Sequence, residues 1–160
     1  MYYNSHLSHT GEWWFDWTNH SFKGSKAGDP ISPYFIFLCA EGFSSLLNDA
    51  EMNGRIQGVS ICAGAPSITH LLFADDSLLL LKANGENAQH LRHVLQIYET
   101  CSGHKINKEK SSIVFSRNTK SQAGRNFMEI LDLSQESMNV QYLGLPVYIW
   151  ENQRRVCLHI

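Results

Sequence analysis

Asp75 and Asp76 stand side by side in the run Leu71-Leu72-Phe73-Ala74-Asp75-Asp76-Ser77-Leu78-Leu79-Leu80. Two ionised side chains beside buried apolar strands are costly to hold unless something binds them. Adjacent carboxylates also repel each other, and a divalent cation relieves both problems at once. Hard oxygen donors suit Mg2+, which in such sites is commonly shared with phosphate. The same pair fits a polar hairpin turn with two solvated aspartates, since Asp is an ordinary turn residue. The local pattern leaves both readings open. Other constellations are thinner. His90 and His93 lie one helical turn apart, but no nearby Cys or carboxylate completes a metal set. Cys39, Cys62, Cys101 and Cys157 are scattered without a CxxC pair, which speaks against structural zinc and for thiols used as small apolar filler. Nothing resembles a nucleophile elbow around Ser77 or a phosphate-cradling GxxxxGK[ST] loop.

The elements that must position the two aspartates follow from apolar spacing. Gly28-Asp29-Pro30 forms a turn, and Ser32-Pro33 opens a helix, Ser as its N-cap and Pro in its first position. From 33 to about 49, Phe35, Leu38, Cys39, Phe43, Leu46 and Leu47 mark one buried face. A short strand covers 56–61. Strands at 68–73 and 78–82 flank the Ala-Asp-Asp-Ser tip, and their nearly unbroken apolar character predicts cover on both faces. A second helix runs from about 86 to 101, with Gly103 placed for a left-handed cap. A strand at 113–115, a helix over 121–131 and a short strand into a turn at 141–146 complete the order. Helix, strand, hairpin, helix, strand, helix, strand predicts an α+β fold, an antiparallel sheet with helices packed on one face.

At 160 residues with 43% apolar composition, the chain is long enough to bury one domain's core. A formal charge of −2 is a weak electrostatic footprint for an autonomous nucleic-acid binder. Residues 1–21 read as an irregular lead-in. Trp13, Trp14 and Trp17 crowd there, either as a stacking surface for bases or as core and interaction residues. The first ten residues resemble neither a secretory leader nor an Arg-rich transit peptide. No stretch reaches the roughly 20 apolar residues of a membrane span. An intracellular setting is expected, nuclear or organellar.

Four stretches, in order, resemble the reverse transcriptases of LINE-type (non-LTR) retrotransposons, most like those of plants. They are Gly28-Asp29-Pro30-Ile31-Ser32-Pro33-Tyr34-Phe35; Phe73-Ala74-Asp75-Asp76; Ser102-Gly103-His104-Lys105-Ile106-Asn107 with Lys110-Ser111; and Tyr142-Leu143-Gly144-Leu145-Pro146. The resemblance implies a partial right-hand polymerase palm over 22–149, with 150–160 beginning a connection to a thumb and with fingers and thumb lacking. It implies RNA-directed DNA synthesis with two Mg2+ ions, on an RNA template, a DNA primer and a deoxynucleoside triphosphate. By position, Asp75 and Asp76 become the catalytic metal ligands, Asp75 the surer of the two. Gly28, Asp29, Pro30, Phe73, Ala74 and Lys105 become substrate-contacting positions, with Lys110 a weaker candidate.

The same resemblance implies a third carboxylate on a strand well before Gly28. Only 27 residues precede Gly28, and Asp16 is the one aspartate among them. Ala27 stands where the family usually has a glutamine that holds the template–nucleotide pair. The expectation is therefore a palm fragment inactive alone. The alternatives are a non-catalytic nucleic-acid-binding or protein-interaction fragment, self-associating through exposed palm surface, or a transposon relic without function.

Overall fold

The computed structural model describes residues 14–16, 21–23, 32–60, 62, 64–74, 76–134, 136–137, 140–146 and 155–160. In chain order the elements are β1 (Trp14–Asp16), β2 (Ser21–Lys23), α1 (Ser32–Met52), β3 (Val59–Ser60), β4 (Ser67–Ile68), β5 (His70–Phe73), β6 (Asp76–Lys82), α2 (Gly85–Ser102), β7 (Ser112–Phe115), α3 (Ser121–Leu131), β8 (Gln141–Tyr142), β9 (Leu145–Pro146) and β10 (Arg155–His159). The central sheet has the order β5-β6-β10-β7, antiparallel throughout. The apolar run around the two aspartates becomes the hairpin β5–β6, with Phe73 paired to Asp76.

Strand alternation sorts the sheet's side chains into two faces. On one face, Leu79, Leu158 and Ile113 form a row across β6, β10 and β7, followed by Leu81, Val156 and Phe115. All six join the main core with Phe43 and Leu47 of α1, Leu91 and Val94 of α2, and Phe127 of α3. On the other face, Leu78, Leu80, Cys157 and Val114 meet Val140 and Tyr142. The helices thus pack on one face of an antiparallel sheet, which is the α+β architecture expected. Phe43 and Tyr98 stack between α1 and α2 at 4.6 Å between ring centres, and Phe127 meets Phe115 edge-on at 6.1 Å.

α2 is fixed at both ends. Its N-cap, Asn84, accepts the Asn87 backbone N–H at 2.7 Å through Oδ1. Its C-cap, Gly103, has φ 72° and donates its N–H to the Glu99 carbonyl, as its placement in the sequence suggested. Asn87 is buried, and its side-chain amide donates to the Lys82 carbonyl at 2.9 Å and to the Gln57 carbonyl at 3.5 Å. This joins the start of α2 to the end of β6.

Several local expectations change. β6 is covered on both faces, but β5 is an edge strand, leaving Leu71 and Phe73 exposed. Leu38, placed on the buried face of α1, is 66% exposed, because the helix reaches beyond the sheet before its stripe of Phe43, Leu47 and Ala50 begins. The hairpin β1–β2 begins within the lead-in and ends beyond it, at Lys23. Residues 155–159, within the segment expected to begin a thumb connection, form β10 inside the sheet.

Candidate functional site

Ala74 follows β5 at the start of the turn to β6. Ala74 takes φ 52°, the left-handed region that a two-residue hairpin loop demands and that an L side chain adopts at a cost. Asp75 lies outside the described residues, as do Gly28, Asp29 and Pro30. The candidate residues whose positions are described are Phe73, Ala74, Asp76 and Lys105.

Three of these share one cavity. A pocket of about 530 Å³ opens between α1, the hairpin tip, the end of α2 and the segment after it. Ala74, Asp76 and Ser77 line one side, Lys105, Asn107 and Lys110 another, and Ile36, Cys39, Ala40 and Phe43 of α1 the apolar floor. Phe73 stands at the tip, 60% exposed. Residues about thirty positions apart in the chain therefore line one cavity, Asp76 and two lysines among them.

The electrostatics extend this grouping to a further motif. Alternation along β6 puts Asp76 on the face of Leu78 and Leu80, where Tyr142 lies. Burial pushes the Tyr142 phenol above its ordinary range, and the negative charge of Asp76 adds to the shift. The 142–146 motif therefore reaches the acidic tip from behind, through Tyr142. It does so on a hairpin whose turn residues, Leu143 and Gly144, take φ 52° and 75°.

The two lysines differ. Lys105 pairs with Glu99 at 3.8 Å and is largely exposed, so the pair contributes little to stability but holds the ammonium near α2. Lys110 has no ion-pair partner among the described residues. Tyr98 and His104 form a wall of the same pocket, in edge contact at 6.4 Å between ring centres. His104 belongs to the 102–107 motif, but nothing in the sequence shows that it and Tyr98 line one cavity. Ile160 also lines it, through exchanged backbone hydrogen bonds with Ser77 at 3.0 and 3.1 Å. No local signal in the sequence could have found that contact.

Of the two adjacent aspartates, Asp76 is the one described, and its carboxylate is a hard oxygen donor of the kind a divalent cation takes. Among the described residues no three His, Cys, Asp or Glu side chains gather as a metal set. No described helix is long and apolar enough to cross a membrane.

An acidic hairpin on an antiparallel sheet, backed on one face by helices and facing a pocket with lysines, defines an α+β fold of the partial polymerase-palm class. The chain matches the reverse transcriptase (RNA-dependent DNA polymerase) family over residues 7–147, and it belongs to that family. Members of the family bind nucleic-acid template and primer and use a divalent metal. An uncharacterized mitochondrial protein of Arabidopsis thaliana is 46% identical over 55 residues, which cover 34% of this chain and 45% of that relative. No solved structure matches the chain significantly.

Proposed function

We propose that this chain is the metal- and nucleotide-binding part of a LINE-type reverse transcriptase palm. Asp75 and Asp76 hold Mg2+, Lys110 and Lys105 receive phosphate oxygens, and the turn at Gly28, Asp29 and Pro30 meets the nascent base pair together with Phe73 and Ala74. RNA template, DNA primer and deoxynucleoside triphosphate are the proposed partners. The observation that carries this reading is the meeting of the hairpin tip and the 102–111 segment at one cavity, with Tyr142 close to Asp76 on the sheet's other face. Lys110 ranks above Lys105 here, because Lys105 already has the Glu99 carboxylate.

When bound, the metal supplies Lewis-acid stabilisation of the charge that develops in phosphoryl transfer. Asp76 contributes a hard donor oxygen at the pocket rim, and the lysines neutralise the triphosphate. The apolar floor of α1 excludes water from one side, strengthening those charge contacts. The family's chemistry draws on a third carboxylate. Asp16, the aspartate that precedes Gly28, belongs to the separate two-stranded β1–β2 sheet. The 160-residue polypeptide is therefore proposed to bind Mg2+ and nucleotide weakly, without sustained polymerisation.

Mn2+ titration followed by electron paramagnetic resonance, with and without thymidine triphosphate, tests the binding. Asp75→Asn with Asp76→Asn is expected to abolish the bound-metal signal, and Lys110→Ala to weaken only the nucleotide-dependent increment. Metal binding unchanged in the double variant would sink the assignment. Primer extension on an RNA template tests the second half: robust incorporation abolished by Asp75→Ala would refute the inactivity of the isolated chain. A plant organelle is the setting to test first, given the mitochondrial relative.

One observation favours a second reading, a non-catalytic interaction fragment. Tyr34, Phe37 and Leu38 are 74%, 67% and 66% exposed and share the opening turns of α1. Salt-sensitive nucleic-acid binding that Asp75→Ala leaves intact would support it.

A further inference from the structure

β10 is the final strand in sequence, yet it lies inside the sheet. It pairs with β6 from Arg155↔Lys82 to His159↔Leu78, and with β7 from Val156↔Phe115 to His159↔Ser112. Val156, Cys157 and Leu158 are each at most 1% exposed. The family match ends at residue 147, so this inner strand comes from outside the matched stretch. Until β10 is in place, β6 and β7 must be held about two strand spacings apart, roughly 9.6 Å, with both edges unpaired.

The slot is specific. On the helix side it requires apolar residues level with Leu79 and Leu81, and on the other side a small one level with Leu80 and Val114, which Cys157 supplies. The segment whose side chains already meet these needs is β10 itself, from this copy or from another. β10 pairs along its length with β6 and β7, and its side chains meet the helix-side core on one face and Tyr142 of β8 on the other. A second copy's β10 in the same slot would make these same contacts. An element of this kind exchanges between copies at low energetic cost.

We propose that the β6–β7 slot is a strand-acceptor site shared between copies of this chain, and that a second copy's residues 155–159 fill it reciprocally to give a swapped dimer. Both acceptor edges are satisfied in that dimer as they are in the monomer. The ratio of the two forms then follows concentration during folding.

Cross-strand disulfides tell the forms apart. Cys157 lies directly opposite Leu80 on one side and Val114 on the other. Opposed positions on antiparallel strands have Cα separations within disulfide range. The full chain carrying Cys39→Ser, Cys62→Ser, Cys101→Ser and Leu80→Cys is refolded in glutathione buffer, in which oxidised glutathione is reduced as the two thiols form the bond. Bands on non-reducing gels are compared with masses from light scattering at protein concentrations from about 1 to about 100 µM. The expected result is an interchain-linked dimer whose ratio to intrachain-linked monomer rises about tenfold per tenfold in concentration. Val114→Cys in the same background is expected to behave alike, and it carries the test if Leu80→Cys fails to fold. An exclusively intrachain bond at every concentration overturns the proposal. So does a dimer in solution whose Cys157 bonds remain intrachain, since another face would then hold the copies together.

Discussion

Asn87→Asp is the perturbation that bears most directly on how the site is held. Asn87 is 4% exposed, and its side-chain NH2 faces the Lys82 carbonyl at 2.9 Å and the Gln57 carbonyl at 3.5 Å. A carboxylate there presents lone pairs to lone pairs. The Lys82 and Gln57 carbonyls keep the Asn84 and Lys82 N–H donors, so the lost hydrogen bond by itself costs about 0.5–1.5 kcal/mol. Burying an unpaired charge brings the total at neutral pH to about 3–5 kcal/mol. At 1.36 kcal/mol per pKa unit, that total implies that the introduced carboxyl titrates at least about 2 units above its unfolded value near 3.9. Its protonated form can donate to the Lys82 carbonyl again. The sign follows from linkage: the folded state binds this proton more tightly than the unfolded state does. The variant's deficit is therefore smallest near pH 4, grows as pH rises, and levels off above the raised folded pKa. Urea unfolding of wild type and variant between about pH 5 and about pH 8 measures the gap. Asn87→Leu provides the uncharged comparison, with a loss of about 0.5–1.5 kcal/mol that does not change with pH. A gap for Asn87→Asp that is flat across this range, or below about 1 kcal/mol at neutral pH, would refute the reasoning.

Three further outcomes are expected. Burial lowers the pKa of His70, against a smaller opposing effect of Glu51, while its ring is held between Ser44 at 2.8 Å and Thr69 at 2.9 Å. The unfolded chain then takes up the proton first, so stability should fall as pH drops from about 6.5 toward the lowered folded value. His70→Gln should flatten that part of the pH profile of the urea midpoint. A Cβ added at Gly58 would lie 2.5 Å from Ser67 Oγ and 2.7 Å from the Ile68 carbonyl oxygen. Gly58→Ala should therefore cost about 1–3 kcal/mol, seen as a lower thermal midpoint. Leu143 takes φ 52° before Gly144 in a two-residue hairpin turn. Leu143→Asn should raise stability by about 0.5–1 kcal/mol, because Asn-Gly is the favoured pair in such turns.

What could be read from the sequence was what short-range periodicity and end signals encode. The helix over 121–131 appears as Ser121–Leu131, and the one placed at 86–101 appears as Gly85–Ser102 with its glycine cap. Those segments carry both an apolar stripe and a stop signal, so local information suffices. β10 carried no such signal. Five residues with three apolar ones in a row become a buried inner strand only because β6 and β7 offer two edges, which are set by residues some forty and eighty positions away. Leu38 fails for a related reason. Helical periodicity identifies a stripe, but not how far along that stripe the sheet extends. At the site, the motifs indicated which segments meet. The cavity's apolar floor and Ile160 depend on tertiary geometry alone.

The acidic tip raises a question of register that its own residues do not answer. Leu78, Leu79, Leu80 and Leu81 are consecutive, and β6 is apolar on both faces. A slip of one residue normally exposes a core face, but four leucines in a row remove that penalty. The register that places Asp76 beside the pocket must therefore come from the polar ends of the strand. At one end, the two-residue turn fixes Phe73 against Asp76, and Ser77 exchanges both backbone hydrogen bonds with Ile160. At the other, the Lys82 N–H donates to the Gln57 carbonyl at 2.9 Å, and the Lys82 carbonyl accepts from the Asn84 N–H and from the Asn87 amide. A slipped strand would lose those bonds while keeping nearly all of its apolar burial. Asn87, about a strand's length from Asp76, thus helps to fix the register of the hairpin tip. Weakening it should loosen the site before it unfolds the core.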